Sequence, residues 1–105
     1  MGESQRQVVR DVTISNREGF HSRPVMKFVD VAQRFTADIQ VVSLAKADET
    51  VDGKSAMELM LLGAVKGTRL RITALGSDAE QAADALVALV TDHFDIDYDA
   101  KPSGS

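Results

Sequence analysis

Cysteine is absent from the 105 residues. That excludes disulfide frameworks, zinc ribbons, iron–sulfur clusters and thiol nucleophiles, and it fits a reducing compartment. Long apolar runs are missing too. None approaches the roughly 18 residues that span a bilayer, and the opening MGESQRQ lacks the apolar stretch of a signal peptide. The expectation is a cytoplasmic protein without membrane insertion. Nor is there a basic surplus, since 12 Lys and Arg face 16 Asp and Glu for a net charge of −4. Asp92, Asp95, Asp97 and Asp99 stand near the end with one base, Lys101; setting these five aside leaves 11 basic and 12 acidic residues, a net of −1. A nearly neutral body with an acidic tail lacks the electropositive face that nucleic-acid binding requires. Internal repeats and dividing linkers are also lacking, so one domain is expected.

What is present is an ordinary globular composition, 44% hydrophobic and 27% charged, sufficient for a single modest core. Val8, Val12 and Ile14 share one parity and Asp11 and Thr13 the other, which predicts a half-buried strand over roughly residues 8–15 after a frayed start over 1–7. From Ser22 the period changes. Pro24 suits a first helical turn, and Val25, Phe28, Val29 and Ala32 follow at helical spacing, predicting a helix to about Arg34. Ala37, Ile39 and Val41 alternate with polar residues in a second strand to about Leu44. Residues 45–50 read as a loop, and Val51-Asp52-Gly53-Lys54 as at most a short third strand.

Ser55 and Glu58 have the spacing of a capping box, and Gly63 is placed to stop the helix they open. Leu70, Ile72 and Ala74 alternate with Arg69, Arg71 and Thr73 in a fourth strand. Ser77 and Glu80 suggest a second capping box before a long amphipathic helix that ends near His93, with Phe94 still packing. The order is βαββαβα. Alternating strands leave one sheet face wet, so the expected architecture is α+β: an open-faced two-layer sandwich, with a four-stranded, mainly antiparallel sheet and three helices on one face.

Two candidate sites dissolve on inspection. Gly53-Lys54-Ser55 matches the end of a P-loop, but Asp48 stands where its first glycine belongs and no long buried strand precedes it, so nucleotide binding is not expected. His93, near a helix end, suits the negative pole of the helix dipole and reads as a partly exposed surface residue. With Leu89 one turn before it, it has no partner for a metal, and no metal or other cofactor is expected.

His21 is different. Gly19-Phe20-His21-Ser22-Arg23-Pro24 runs from a glycine-containing loop into a helix start. The first amides of a helix have no intrahelical partner and carry partial positive charge, which makes an anion site. Arg23 adds a guanidinium fork that matches phosphate oxygens, and His21 a nucleophilic ring nitrogen. The plain alternative is that His21 only caps the helix and Arg23 is solvated. Spacing alone leaves both open.

The segment from Gly19 to Pro24 resembles the active-site signature of the HPr family, the histidine-containing phosphocarriers of the bacterial phosphoenolpyruvate:sugar phosphotransferase system. Gly53-Lys54-Ser55-Ala56-Met57-Glu58-Leu59-Met60-Leu61-Leu62-Gly63 is similar to the family's second segment, in which Lys-Ser opens a short helix ending in Leu-Gly. The resemblance covers roughly residues 8–93 and implies the HPr-like fold. It implies a single phosphocarrier domain over 1–94, followed by an acidic, flexible tail over 95–105. His21 would accept a phosphoryl group on Nδ1 from phosphorylated enzyme I and pass it to an enzyme II A component, and Arg23 would hold the phosphate. Ser55 would match the serine modified by an HPr kinase/phosphorylase, and Phe20, Ser22, Met57 and Met60 would face the partners. Such a protein is a monomeric relay, a substrate of phosphotransferases rather than a free-standing catalyst. Phe20, Ser22 and Val25 depart from the family's commoner Leu, Ala and Ala, segment 45–50 looks a few residues longer than usual, and Asp30 and Glu58 occupy places near a face often rimmed by lysines. The alternative is an HPr-like regulatory protein that acts by binding enzymes or transcription factors.

Overall fold

A computed structural model describes residues 6–46 and 48–95. The start of the expected frayed segment (1–5), Ala47, and the tail expected to be acidic and flexible from 96 onward lie outside the described residues. The elements are β1 (Gln7–Thr13), α1 (Ser22–Ala32), β2 (Asp38–Ser43), β3 (Thr50–Asp52), α2 (Ala56–Leu61), β4 (Arg69–Leu75) and α3 (Ala79–Thr91). Their order is the βαββαβα expected. Two departures are local. Leu44–Lys46 forms a 3-10 turn within what read as loop, and His93–Asp95 forms another after α3.

The sheet order is β1-β4-β2-β3, and all three pairings are antiparallel. Alternation decides which face is covered. Ile39 and Val41 of β2 and Leu70, Ile72 and Ala74 of β4 are buried, under Val25, Phe28, Val29 and Ala32 of α1 and Ala79, Ala82, Ala83, Leu86 and Val90 of α3. The alanines on the inner face of α3 let that helix lie close on β1 and β4. Leu59 and Leu62, in and just after α2, complete the layer. Burying each large aliphatic or Phe side chain contributes about 1.5–3 kcal/mol, so this layer is the main source of stability.

The open face is polar. Arg71 grips Asp11 with two bonds, Nε to Oδ1 at 2.8 Å and Nη2 to Oδ2 at 3.0 Å, across the β1–β4 pair. The hydrogen bond from Arg71 is the first cause of a lowered Asp11 pKa.

The second expected capping box does not form. Asp78, not Ser77, is the N-cap of α3. Its carboxylate turns away from its own helix and accepts the amides of Thr36 and Ala37, each at 2.9 Å, which ties the α1–β2 connection to the start of α3.

Candidate functional site

The loop between β1 and α1 is held at both ends by the turn that follows α2. The Ile14 N–H donates to the Thr68 carbonyl at 2.8 Å, the Gly67 N–H to the Ile14 carbonyl at 2.7 Å, and the Phe20 N–H to the Ala64 carbonyl at 2.9 Å. Gly19 sits at the closest approach, with φ +75°. A Cβ at this position would stand 2.8 Å from the Ala64 oxygen and 2.9 Å from the Val65 Cα. Only glycine satisfies both the space and the left-handed backbone. Buried Asn16 braces the loop from inside, its Nδ2 donating to the Gly19 carbonyl at 2.8 Å.

His21 follows as the N-cap of α1, with extended backbone and no side-chain cap hydrogen bond. The plain capping role is therefore not the one it plays. Its carbonyl accepts the Val25 N–H at 2.8 Å, the first bond of the helix, and its ring is exposed. Helix α1 begins at Ser22, so Pro24 is the third helical residue and brings no N–H. The amides of Ser22 and Arg23 are left as the free donors of the first turn, and that turn contains no acidic residue. Arg23 is exposed, and among the described residues it enters no salt bridge. An open depression is lined by Glu18, His21, Ser22, Arg23 and Pro24. A nucleophilic ring nitrogen, two helix-start amides and a guanidinium share this one concavity. They suit an anion held beside the imidazole. Among the described residues no cluster of His, Asp and Glu could hold a metal ion.

A family profile described as "PTS HPr component phosphorylation site" matches residues 8–92. The chain belongs to the HPr family. Among its relatives, the phosphocarrier protein HPr of Pseudomonas putida is 43% identical over 86 residues, which is 82% of this chain and 93% of that protein. The crystal structure of the HPr from Bacillus anthracis superposes with a TM-score of 0.72 at 40% identity, covering 78% of this chain and 94% of the other. A multiphosphoryl transfer protein of Haemophilus influenzae is 39% identical over 77 residues, 73% of this chain but only 15% of that longer protein.

One residue of the HPr signature is not where the resemblance put it. Phe20 was expected to face partners, but it is only 3% exposed. Its ring meets the edge of Phe28 at 5.4 Å and lies stacked on Phe94 at 5.6 Å between centroids, 18° between planes. The loop clamp at Gly19 turns residue 20 inward and leaves residue 21 outward. Ser22 and Met60 are exposed, and Met57 is 76% exposed. Leu61, Val65 and Met26 are exposed large apolar residues as well, and the sequence reading missed all three. Helical spacing from Met57 could have found Leu61. Val65 follows α2 in the turn that clamps the His21 loop. Met57 and Leu61, one helical turn apart on α2, and Val65 in the following turn are all exposed.

Ser55 is half-buried and is the N-cap of α2; its Oγ accepts the Glu58 N–H at 3.2 Å. The capping box is therefore half as expected. The Glu58 carboxylate does not return to Ser55 but accepts the Asp52 N–H at 2.9 Å, while the Ser55 N–H donates to the Asp52 carbonyl at 3.1 Å. Gly53 owes its place to packing, since a Cβ there would lie 2.4 Å from Ile39 Cγ2. This close approach, rather than a nucleotide, explains the glycine before Lys54-Ser55. Gly63, at φ +59°, ends α2 as expected.

Proposed function

We propose that this chain is a phosphocarrier of the phosphotransferase system in which His21 is the phosphorylated residue. The observation that carries the reading is the exposed, uncapped His21 ring beside the free amides of Ser22 and Arg23. In the first transfer His21 Nδ1 attacks the phosphorus of phosphorylated enzyme I. The new N–P bond forms as the donor's bond to phosphorus breaks, and the donor keeps that electron pair. In the second, the phosphoryl group leaves His21 for an enzyme II A component by the same displacement. Charge on the moving group is spread over three oxygens, and the Arg23 guanidinium with the two amides is suited to bind it. The exposed Ser22, Met57 and Met60 serve as the docking surface. The thioethers suit a face that must repack against more than one partner.

In this reading the relay domain occupies residues 1–94, acts in the cytoplasm as a monomer, and is consumed and regenerated by other proteins' transfer reactions rather than turning over a substrate of its own. No helix among the described residues is long and apolar enough to cross a membrane. Ser55 is the candidate for regulatory phosphorylation by an HPr kinase/phosphorylase. A protein that regulated only by binding would need neither His21 nor Arg23, so the presence of both supports transfer.

The test is incubation with labelled phosphoenolpyruvate and enzyme I. Label is expected on the wild type and on His93→Ala, absent from His21→Ala, and lost in mild acid, as a phosphoramidate is. Arg23→Lys keeps the charge but loses the fork, and labelling should slow without loss of fold. Acid-stable label, or label persisting in His21→Ala, overturns the assignment.

A further inference from the structure

The backbone after α3 is unusual. Helix α3 ends at Thr91, and His93 and Phe94 then take φ +54° and +60°, the only positive-φ non-glycine residues among those described. Two consecutive left-handed residues, one of them a phenylalanine, persist only where the surroundings over-determine them. The surroundings here are aromatic. Phe94 is fully buried, and its ring lies nearly parallel to that of Phe20, the residue that carries His21. Phe20 is thus held on two sides, by the edge of Phe28 from α1 and by the face of Phe94 from the end of the last helix. Its N–H is fixed to Ala64. His21, the next residue, has extended backbone and therefore leaves from an anchored neighbour at the start of α1.

We propose that Phe94 is a positioning residue for phosphoryl transfer, acting through its stack on Phe20 to set where the His21 ring stands at the start of α1. The proposal rests on the reading of His21 as the phosphoryl acceptor. Misplacement of a reacting group by about 1 Å can cost up to about a hundredfold in rate, and the Phe94 stack is one of the two aromatic contacts that hold the Phe20 ring. Phe94 is fully buried, so its effect falls on the transfer step and not on docking.

The experiment uses the full chain and phosphorylated enzyme I, with two readouts: labelling kinetics, and the NMR signals of the His21 imidazole in the unphosphorylated protein. Phe94→Leu keeps an apolar side chain but has no ring face. It is expected to lower kcat for labelling about tenfold with little change in the KM for the carrier, and to shift the His21 ring signals. Ile72→Val, in the middle of β4, lowers the melting temperature by removing a buried methyl and should move neither readout. In a Phe20→Leu background, Phe94→Leu should slow labelling no further, because both act through one stack. Wild-type kcat and wild-type His21 signals in Phe94→Leu overturn the proposal. So does an equal loss in Ile72→Val, which would make the effect one of stability, or a full additional loss in the Phe20→Leu background. If the wild type takes no label at His21, the proposed function fails. The positioning role in transfer then falls with it, whereas a labelled wild type with wild-type kcat in Phe94→Leu overturns the positioning role alone.

Discussion

Glu58 Oε1 accepts the N–H of Asp52 at 2.9 Å, six residues back along the chain. This bond bridges over Ser55, whose own hydroxyl accepts the Glu58 N–H at 3.2 Å. Two opposed bonds therefore close the start of α2, and only one of them depends on the serine. Ser55→Ala should lose about 1 kcal/mol of stability. Ser55→Asp retains an acceptor and places a negative charge at a helix start, so it should melt no lower than wild type. Function should follow the opposite order. A charge beside Met57 and Met60 is desolvated or repelled when an acidic partner docks, so Ser55→Asp should accept phosphate from enzyme I more slowly than Ser55→Ala does. A melting curve and an initial labelling rate for each variant settle it. Labelling of the Asp variant at the wild-type rate would leave Ser55 as a cap and nothing more.

Glu18 lines the same depression as His21, Ser22 and Arg23. In the transfer proposed for His21, an incoming phosphoryl group would meet its carboxylate as well as the guanidinium. Replacing it with the neutral isostere, Glu18→Gln, should speed phosphoryl acceptance about two- to fivefold at low salt, the size of a solvent-exposed charge–charge effect. Raising the ionic strength should shrink the difference. A salt-independent ratio would contradict the electrostatic role given to Glu18.

The Asp78 carboxylate holds the amides of Thr36 and Ala37. The hydrogen bond from the Thr36 amide is the first cause of its lowered pKa. A carboxyl with a lower pKa in the folded state contributes stability that is fully present above its unfolded pKa, about 3.9, and is lost as the pH falls through its folded value. Asp78→Asn keeps one acceptor oxygen and should be about 1 kcal/mol less stable near neutrality. The gap between the two proteins should stay constant from pH 8 to about pH 5 and close below about pH 4. Melting temperatures across that range test the sign. A gap that widens in acid would contradict it.

His93 is exposed, and its left-handed backbone is imposed by the burial of the next residue. A non-glycine residue pays about 1–2 kcal/mol for that conformation, while glycine costs about 0.5–1 kcal/mol in chain entropy. His93→Gly should therefore raise stability by roughly 0.5 kcal/mol, a small upward shift in melting temperature. The same variant should leave labelling unchanged. A lowered melting temperature would show that the imidazole makes a contribution larger than the strain.

Five of the seven main elements were legible in their side-chain period, whereas α2 was read from its capping spacing and stop glycine, and the three-residue β3 only as at most a short strand. Ile39 and Val41 alternate, and Val25, Phe28 and Val29 do not. The His21 site was legible because its parts lie within a six-residue stretch. What could not be read was anything that depends on which segment meets which. Ser77 and Glu80 have the spacing of a capping box, but Asp78 wins the N-cap because its carboxylate satisfies two amides more than forty residues away. Phe20 was assigned to the docking face on resemblance. It is turned inward by a clamp between Gly19 and Ala64, and no local pattern in the sequence announces it. The role of Phe94 was half visible: its packing was expected, but its partner was not.

Strand β4 lies between β1 and β2 in the sheet, although it follows β2 and β3 in the chain. Among the described residues β1 pairs with β4 alone, and the loop that presents His21 is pinned by Ala64, Gly67 and Thr68, which come just before β4. A chain emerging from the ribosome has therefore already synthesised His21 and Arg23 long before it owns the scaffold that orients them. Pairing Gln7 with Leu75 must wait until β4 has been made, and closure over such a separation is slow compared with helix formation. The geometry around His21 should thus appear only once β4 has been made, and a shorter nascent chain exposes this histidine without the scaffold that orients it.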